Sequence, residues 1–317
     1  MAFFEGFRSR ALFKPAEAFM LMIASVTGLI DLVLISLKNS PIDWLAYLRL
    51  MGVVIPLLAG GLYYRLSGRN EHIASALLCT AIFIFFSMTL SVFNYLLLPV
   101  SGNLMDETLA SIDALFGYHW PDVMALAAEY PTFSLAMKFA YMSTVPQLAL
   151  LVVILGLTGK HAELHRMLAT ITITGTFAIC FWGIFPSMGP TILFELPPEL
   201  WRAAGAVVEE NYANDMRTIA EHGPSIITPA EIRGLVAFPS YHAVLAFIAI
   251  HAAWKIRYLA PIFVALNLLI LPSIFVHGGH HLVDLPAGFF VFLAATFLAG
   301  KAISSRQATH TKLANQT

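Results

Sequence analysis

Apolar residues gather into eight long runs along the chain, at approximately 16–37, 45–64, 73–99, 133–157, 167–187, 238–255, 258–276 and 285–303. A helix needs about 20 mostly apolar residues to cross the hydrocarbon core of a bilayer, and these runs match that length. Backbone groups in lipid must hydrogen-bond to one another, and uninterrupted apolar runs do not carry the alternation of barrel strands. The pattern therefore predicts an all-α integral membrane protein of about eight transmembrane helices. The first run follows Arg8, Arg10 and Lys14 but is too long for a signal peptide, and no small-residue cleavage site follows it.

The polar segments between the runs alternate in charge. Lys and Arg fall at 8–14, 65–69, 160–166, 255–257 and 301–312, at every second end of the helices, and the excess of basic residues on cytoplasmic loops assigns those ends, and both termini, to the cytoplasm. The other ends receive two long loops, 100–132 and 188–237, which carry Asp106, Glu107, Asp113, Asp122, Glu195, Glu209, Glu210, Asp215 and further acids. The stretch 111–130, rich in Leu, Phe, Trp and Tyr, suits either an interfacial helix or a capping loop. The last residues, "TKLANQT", read as a disordered tail.

Composition agrees with a bilayer: 58% of residues are hydrophobic and 12% charged, against about 25% charged in soluble domains. No basic patch with interleaved aromatics suggests nucleic acid, and no protein partner is indicated. Cys79 and Cys180 both fall inside apolar runs and read as small core residues rather than a disulfide or metal pair.

Candidate chemistry gathers on the acidic-loop side. In "VAFPSYHAVLAF", Pro239 suits the first turn of a helix, Ser240 leaves a hydroxyl and backbone amides at its start, and His242 stands near the positive dipole end, a favourable place for phosphate. A single histidine there hydrogen-bonds a carbonyl as readily as it serves a ligand, and His251, two turns deeper, is of that kind. In "HGGHHLVDLPAG", His280 and Asp284 are four residues apart and share a helix face. A carboxylate that accepts the Nδ1 proton leaves the other ring nitrogen as a nucleophile or base. The same stretch can be read as a metal site of His277, His280, His281 and Asp284, but Gly278 and Gly279 interrupt the face and His242 is left without a role.

"FPSYHA" followed some forty residues later by "HHLVDLPAG" resembles the second and third signatures, P-S-x-H and H-x-x-x-D, of the type 2 phosphatidic acid phosphatase superfamily. The resemblance covers about the last 245 residues and divides the chain into a two-helix extension (1–70), a six-helix core (71–304) and a cytoplasmic tail (305–317). It implies that His280 attacks phosphorus to give a phosphohistidine, that Asp284 orients it, and that His242 protonates the leaving oxygen. The phosphatases' first signature, K-x6-R-P, is missing, and Ser273 is followed by Ile274 where they carry S-R. "IFPSMGPTI" (184–192) is instead similar to the Phe-Pro-x-x-x-Pro segment of the inositol phosphorylceramide synthase (aureobasidin-resistance) branch, which also lacks that arginine before its H-Y-x-x-D motif. His281 stands at the tyrosine position.

Phosphoryl oxygens need positive charge or donors around them. The candidates are Arg233 and Arg217 as clamps, the amides at Ser240, and the segment Pro186 to Gly189. Asp31, Arg49 and Lys138 read as interhelix or interfacial charges. The function expected is transfer of a phosphoryl or phospho-headgroup from a phospholipid or prenyl phosphate to water or another lipid, without metal or cofactor, in a cell membrane such as the bacterial inner membrane, with the active site on the periplasmic or outer side. The alternatives are a proton-coupled or lipid transporter, which intramembrane His and Asp would also serve, and a His-metal membrane hydrolase.

Overall fold

The computed structural model of the protein describes residues 11–100, 104–208 and 211–314, with side chains described as far as residue 302. Arg8, Arg10, Glu209 and Glu210 lie outside the described residues. The chain is all-helical, and a single isolated bridge between Ile42 and Ile227 is its only β-type pairing among the described residues.

Among the described residues six helices are long and apolar enough to cross a bilayer: α1 (Pro15–Lys38), α2 (Trp44–Ser67), α3 (Glu71–Leu96), α8 (His161–Ile184), α12 (Ala260–His277) and the first part of α13 (Asp284–Ala314). The expected run 133–157 becomes two helices, α6 (Pro131–Met142) and α7 (Thr144–Leu157), bent by 46° and able to count as a seventh span. The break falls at Ser143 and Thr144, whose hydroxyls bond to the carbonyls of Ala140 and Tyr141 and compete with the helical ladder. The run 238–255 contains only the 13-residue α11 (Tyr241–Ala253). Ser240 is its N-cap, accepting from the Ala243 amide, so Pro239 precedes the helix instead of occupying its first turn. α13 continues through Ala314, so most of the stretch expected as an unstructured tail is helical.

α11 is the hub of the bundle. It packs against α7, α8, α12 and α13, while α1 and α2 both lie against α3. The difference is visible in composition: α11 buries Ala243, Val244, Ala246, Ile248, Ala249 and Ala252, small and branched residues that let helices approach closely. α1 and α2 leave Leu29, Leu32, Leu37, Leu48 and Ile55 exposed, as a hairpin at the periphery facing lipid would. This hairpin is tied to α3 by a buried ion pair in which Arg65 donates to both oxygens of Glu17, at 2.5 and 3.0 Å, and to Glu71. Asp31 is also buried there, and its Oδ1 has no partner. Cys79 is a core residue as expected, whereas Cys180 is exposed on the outside of α8.

The loop 100–132 forms a cap from α4 (Asp106–Leu115) and α5 (Trp120–Glu129). Trp120 is buried, donates its indole N–H to the Phe275 carbonyl and packs against Trp201 of α9 (Pro198–Ala204), so the segment folds onto the bundle. Its outer face stays apolar, with Leu115 83% exposed and Phe116 72% exposed. The second long loop contains α9, a 3₁₀ turn (Pro190–Ile192) and α10 (Tyr212–His222). Lys138 serves this cap by donating to the Gly205 carbonyl.

The charge asymmetry carries a topology prediction. Cysteines replacing Leu115 or Glu221, both exposed at the end of the bundle that holds the cap, should react with an impermeant thiol reagent in intact cells, and one replacing Glu163 should react only after lysis. The reverse pattern would place the cap in the cytoplasm. Asp113 is unsuitable for this test because it is 2% exposed.

Candidate active site

Two sharp turns place the chemistry. The first ends in Ser240 at the start of α11, and the second is the Gly278–Val283 connection between α12 and α13. The Ser240 amide donates to the Asp284 carbonyl at 3.1 Å and joins them. Gly279 adopts φ +59°, and a Cβ there would lie 2.6 Å from Thr191 Cγ2, so the turn requires glycine. Gly189 (φ +88°) is tighter still, since its Cβ would lie 2.1 Å from the Gly279 carbonyl oxygen.

His280 and Asp284 meet as their spacing predicts. His280 Nδ1 donates to Asp284 Oδ2 at 2.8 Å, and Ser240 Oγ lies 3.3 Å from Nε2. Burial, with the neighbouring His281 charge, lowers the His280 pKa to about 3, so at neutral pH the ring is uncharged and Nε2 carries a lone pair. His242 and His280 line one cavity of about 480 Å³ together with His277, Arg233 and Tyr212. The His242 ring stacks on Tyr141 with centroids 4.2 Å apart, and its Nδ1 lies 3.4 Å from the tyrosine Oη. Tyr141, which no motif marked, thereby fixes the plane of His242.

The four residues of the metal reading do not converge. His277 Nε2 donates to the Ser134 carbonyl at 2.9 Å, His280 Nδ1 faces Asp284, and both nitrogens of His281 face other carboxylates. Metal-type ligand atoms do come together at Glu17, Cys79 and His165, but there Arg65 already holds both Glu17 oxygens.

Two phosphate-binding expectations are altered. Arg233 lines the cavity, its guanidinium paired with Asp215 at 2.7 Å and lying over the Tyr212 ring. Both partners of that pair are more than 40% exposed, and such a pair contributes about 0–1 kcal/mol, so a phosphate can displace it. Arg217 lies elsewhere: it donates to the Ile192 carbonyl, capping the 3₁₀ turn, and faces a separate cavity beside Glu107 and Glu221. The donors of the Pro186–Gly189 segment are also committed. Asp106 accepts from Ser187 Oγ at 2.8 Å and from the Met188 and Gly189 amides at 3.0 and 2.7 Å, while the Pro186 carbonyl accepts from Met105. These groups build the wall of the site instead of a phosphate cradle.

Asp106 belongs to a buried cluster that sequence reading missed. His281 donates to Asp113 at 3.1 Å and lies 3.4 Å from Asp106, and Asp113 also accepts from the amides of Leu282 and Val283. Burial opposes charge on His281, but the hydrogen bond to Asp106 and the charges of Asp284, Asp106 and Asp113 outweigh it and raise its pKa. Through these bonds His281 ties the cap helix α4 to the Gly278–Val283 turn. The available signal was the seven-residue spacing of Asp106 and Asp113, which puts both on one face of α4 with Leu109.

A family model described as the PAP2 superfamily matches residues 107–298, which contain both turns, His242, His277, His280 and His281, and the cap from Glu107 onward. The chain belongs to the PAP2 superfamily. No curated protein and no solved structure matches the chain. The match begins after α3, so the N-terminal hairpin and α3 lie outside it, although α3 packs in the same core as α7 and α8. As a member of the PAP2 superfamily the protein is an integral membrane enzyme of the phosphatase and phosphotransferase type acting on lipid phosphates.

Proposed function

We propose that this PAP2 enzyme transfers the phosphoryl or phospho-headgroup of a membrane lipid through a phosphohistidine on His280. The observation that carries the lipid reading is a second, apolar cavity of about 410 Å³, lined by α3, α7 and α8 and including Phe86, Leu90, Leu148 and Ile179. It adjoins the polar cavity along Ile232–Gly234 and His242, which line both. A lipid tail lying in the apolar branch presents its phosphate to the histidines.

The hydrogen bonds support the following steps. His280 Nε2 attacks phosphorus, an N–P bond forms, and the P–O bond to the leaving group breaks while His242 supplies that oxygen with a proton. Asp284 holds the Nδ1 proton and stabilises the charge that develops on the ring, as a carboxylate partner does in other His-dependent enzymes. Arg233 neutralises the spreading phosphoryl charge. His242 then takes a proton from the incoming water or lipid hydroxyl, which attacks the phosphohistidine and regenerates His280. Ser273–Ile274 and the Phe185–Pro190 segment favour the inositol phosphorylceramide synthase-like branch, whose second half-reaction uses a lipid acceptor. The basic residues at the opposite helix ends support an outward-facing site.

Purified protein incubated with phospholipids, prenyl phosphates and ceramide or diacylglycerol should yield a new headgroup-bearing lipid, read by mass spectrometry. Release of free phosphate alone would assign a phosphatase. Turnover should persist in EDTA, because the proposed nucleophile is a nitrogen of the protein. Loss with EDTA and rescue by zinc or manganese would overturn the phosphohistidine route.

A further inference from the structure

A further cavity, of about 460 Å³, lies at the opposite end of the bundle from His280, between the start of α8, the end of α11 and the middle of α13. Its floor is apolar, formed by Phe247, Ile250 and Phe292, and its rim carries Arg166, His251 and Lys255, with Trp254 beside them. Arg166, His251 and Lys255 line this one cavity, and both cations lie within electrostatic reach of His251. Glu163 also lines the rim. Among the described residues neither Arg166 nor Lys255 forms an ion pair, with Glu163 or any other acid.

The gap has a simple origin. α11 has 13 residues and so rises only about 20 Å, against a hydrocarbon core of about 30 Å. The neighbouring α8 has 24 residues and continues past it. Under the end of α11 an apolar space is therefore left at the depth of acyl chains, roofed by cations at the depth of headgroups. An indole at this level suits the interface, and Trp254 is 66% exposed.

We propose that this cavity binds an anionic phospholipid of the leaflet opposite the catalytic site, its phosphate held by Arg166 and Lys255 and one acyl chain lying on Phe247, Ile250 and Phe292. The site is separate from the catalytic cavities, since α11 presents His242 to them from its first turn and His251 to this one from its last. Unpaired cations over an apolar floor match a lipid in both of its parts, whereas a free phosphate would use only the rim.

The test is native mass spectrometry of the full chain in detergent, titrated with phosphatidylglycerol and with phosphatidylcholine of identical chains. The wild type should retain phosphatidylglycerol with a preference of about thirtyfold, the effect of two interfacial cations on an anionic lipid. R166Q/K255Q should lose that preference, with turnover at His280 unchanged. Equal retention of the two lipids by the wild type, or a preference that survives in R166Q/K255Q, would overturn the proposal. Displacement of phosphatidylglycerol by millimolar inorganic phosphate would overturn it in favour of a free-anion site. Independently of any variant, phosphatidylglycerol with a diazirine in its tail should label wild-type peptides containing Phe247 to Trp254 or Phe292, and labelling confined to other helices would refute the location.

Discussion

His280→Ala should abolish both lipid product and covalent intermediate, whereas His242→Ala should keep a rescuable activity. His280 lines the cavity with its Nδ1 proton held by Asp284 at 2.8 Å, whereas His277 Nε2 is bonded to the Ser134 carbonyl and both ring nitrogens of His281 face Asp113 and Asp106. His242, stacked on Tyr141, faces the same cavity from α11. Losing a general acid costs on the order of 10²–10⁴-fold, but a donor with a p-nitrophenol leaving group needs little protonation and should regain most of that loss. Asp284→Asn should lower the rate while preserving the fold. The intermediate must be trapped at alkaline pH with a labelled headgroup donor, because acid hydrolyses phosphohistidine. Label recovered on His242, or normal turnover by His280→Ala, would reverse these roles.

Asp106→Ala should be the most damaging change outside the reacting groups. The carboxylate satisfies Ser187 Oγ and the amides of Met188 and Gly189, and lies 3.4 Å from His281. Its removal leaves three buried donors unpaired, at about 1–3 kcal/mol each where no water enters. It also removes one of the two carboxylates that face His281, which keeps Asp113 at 3.1 Å. The variant should lose much of its thermal stability, read by the unfolding midpoint of the detergent-solubilised protein, and its turnover should fall because the wall facing Gly279 loosens. A midpoint within about 1 °C of wild type, where 1 kcal/mol moves a chain of this size by about 2–4 °C or less, would show that Asp106 is solvated instead of structural. The wild type has a matching pH dependence. Since the His281 pKa is raised in the folded state, its ionic contribution is complete below the ordinary histidine value and is lost as pH rises through the raised one.

The part of the site that was legible in sequence is the part built from local spacing. His280 and Asp284, four residues apart, meet within one turn and need no knowledge of the fold. Ser240 and His242 were marked by a helix start that Ser240 does cap, although Pro239 lies outside the helix. The phosphate-binding residues were judged by proximity along the chain, and there the loops decided differently: Arg233 reaches the cavity, while Arg217 turns to the Ile192 carbonyl. Pro186–Gly189 was expected to offer free donors, and a carboxylate about eighty residues away takes them.

Hydrophobic run length by itself determined the all-helical membrane architecture, because a lipid solvent leaves the backbone almost no other choice. Two short motifs marked the end of the bundle where the fold brings His242, His280 and Asp284 together. Tertiary structure alone decided that 133–157 breaks into two helices, that α11 is short and central, and that Tyr141, Asp106 and Asp113 complete the site. Those residues act across 101, 83 and 168 positions of chain. A side chain paired over such a distance leaves no periodic mark in the sequence, and only the packing of cap on bundle shows why a buried carboxylate is stable there.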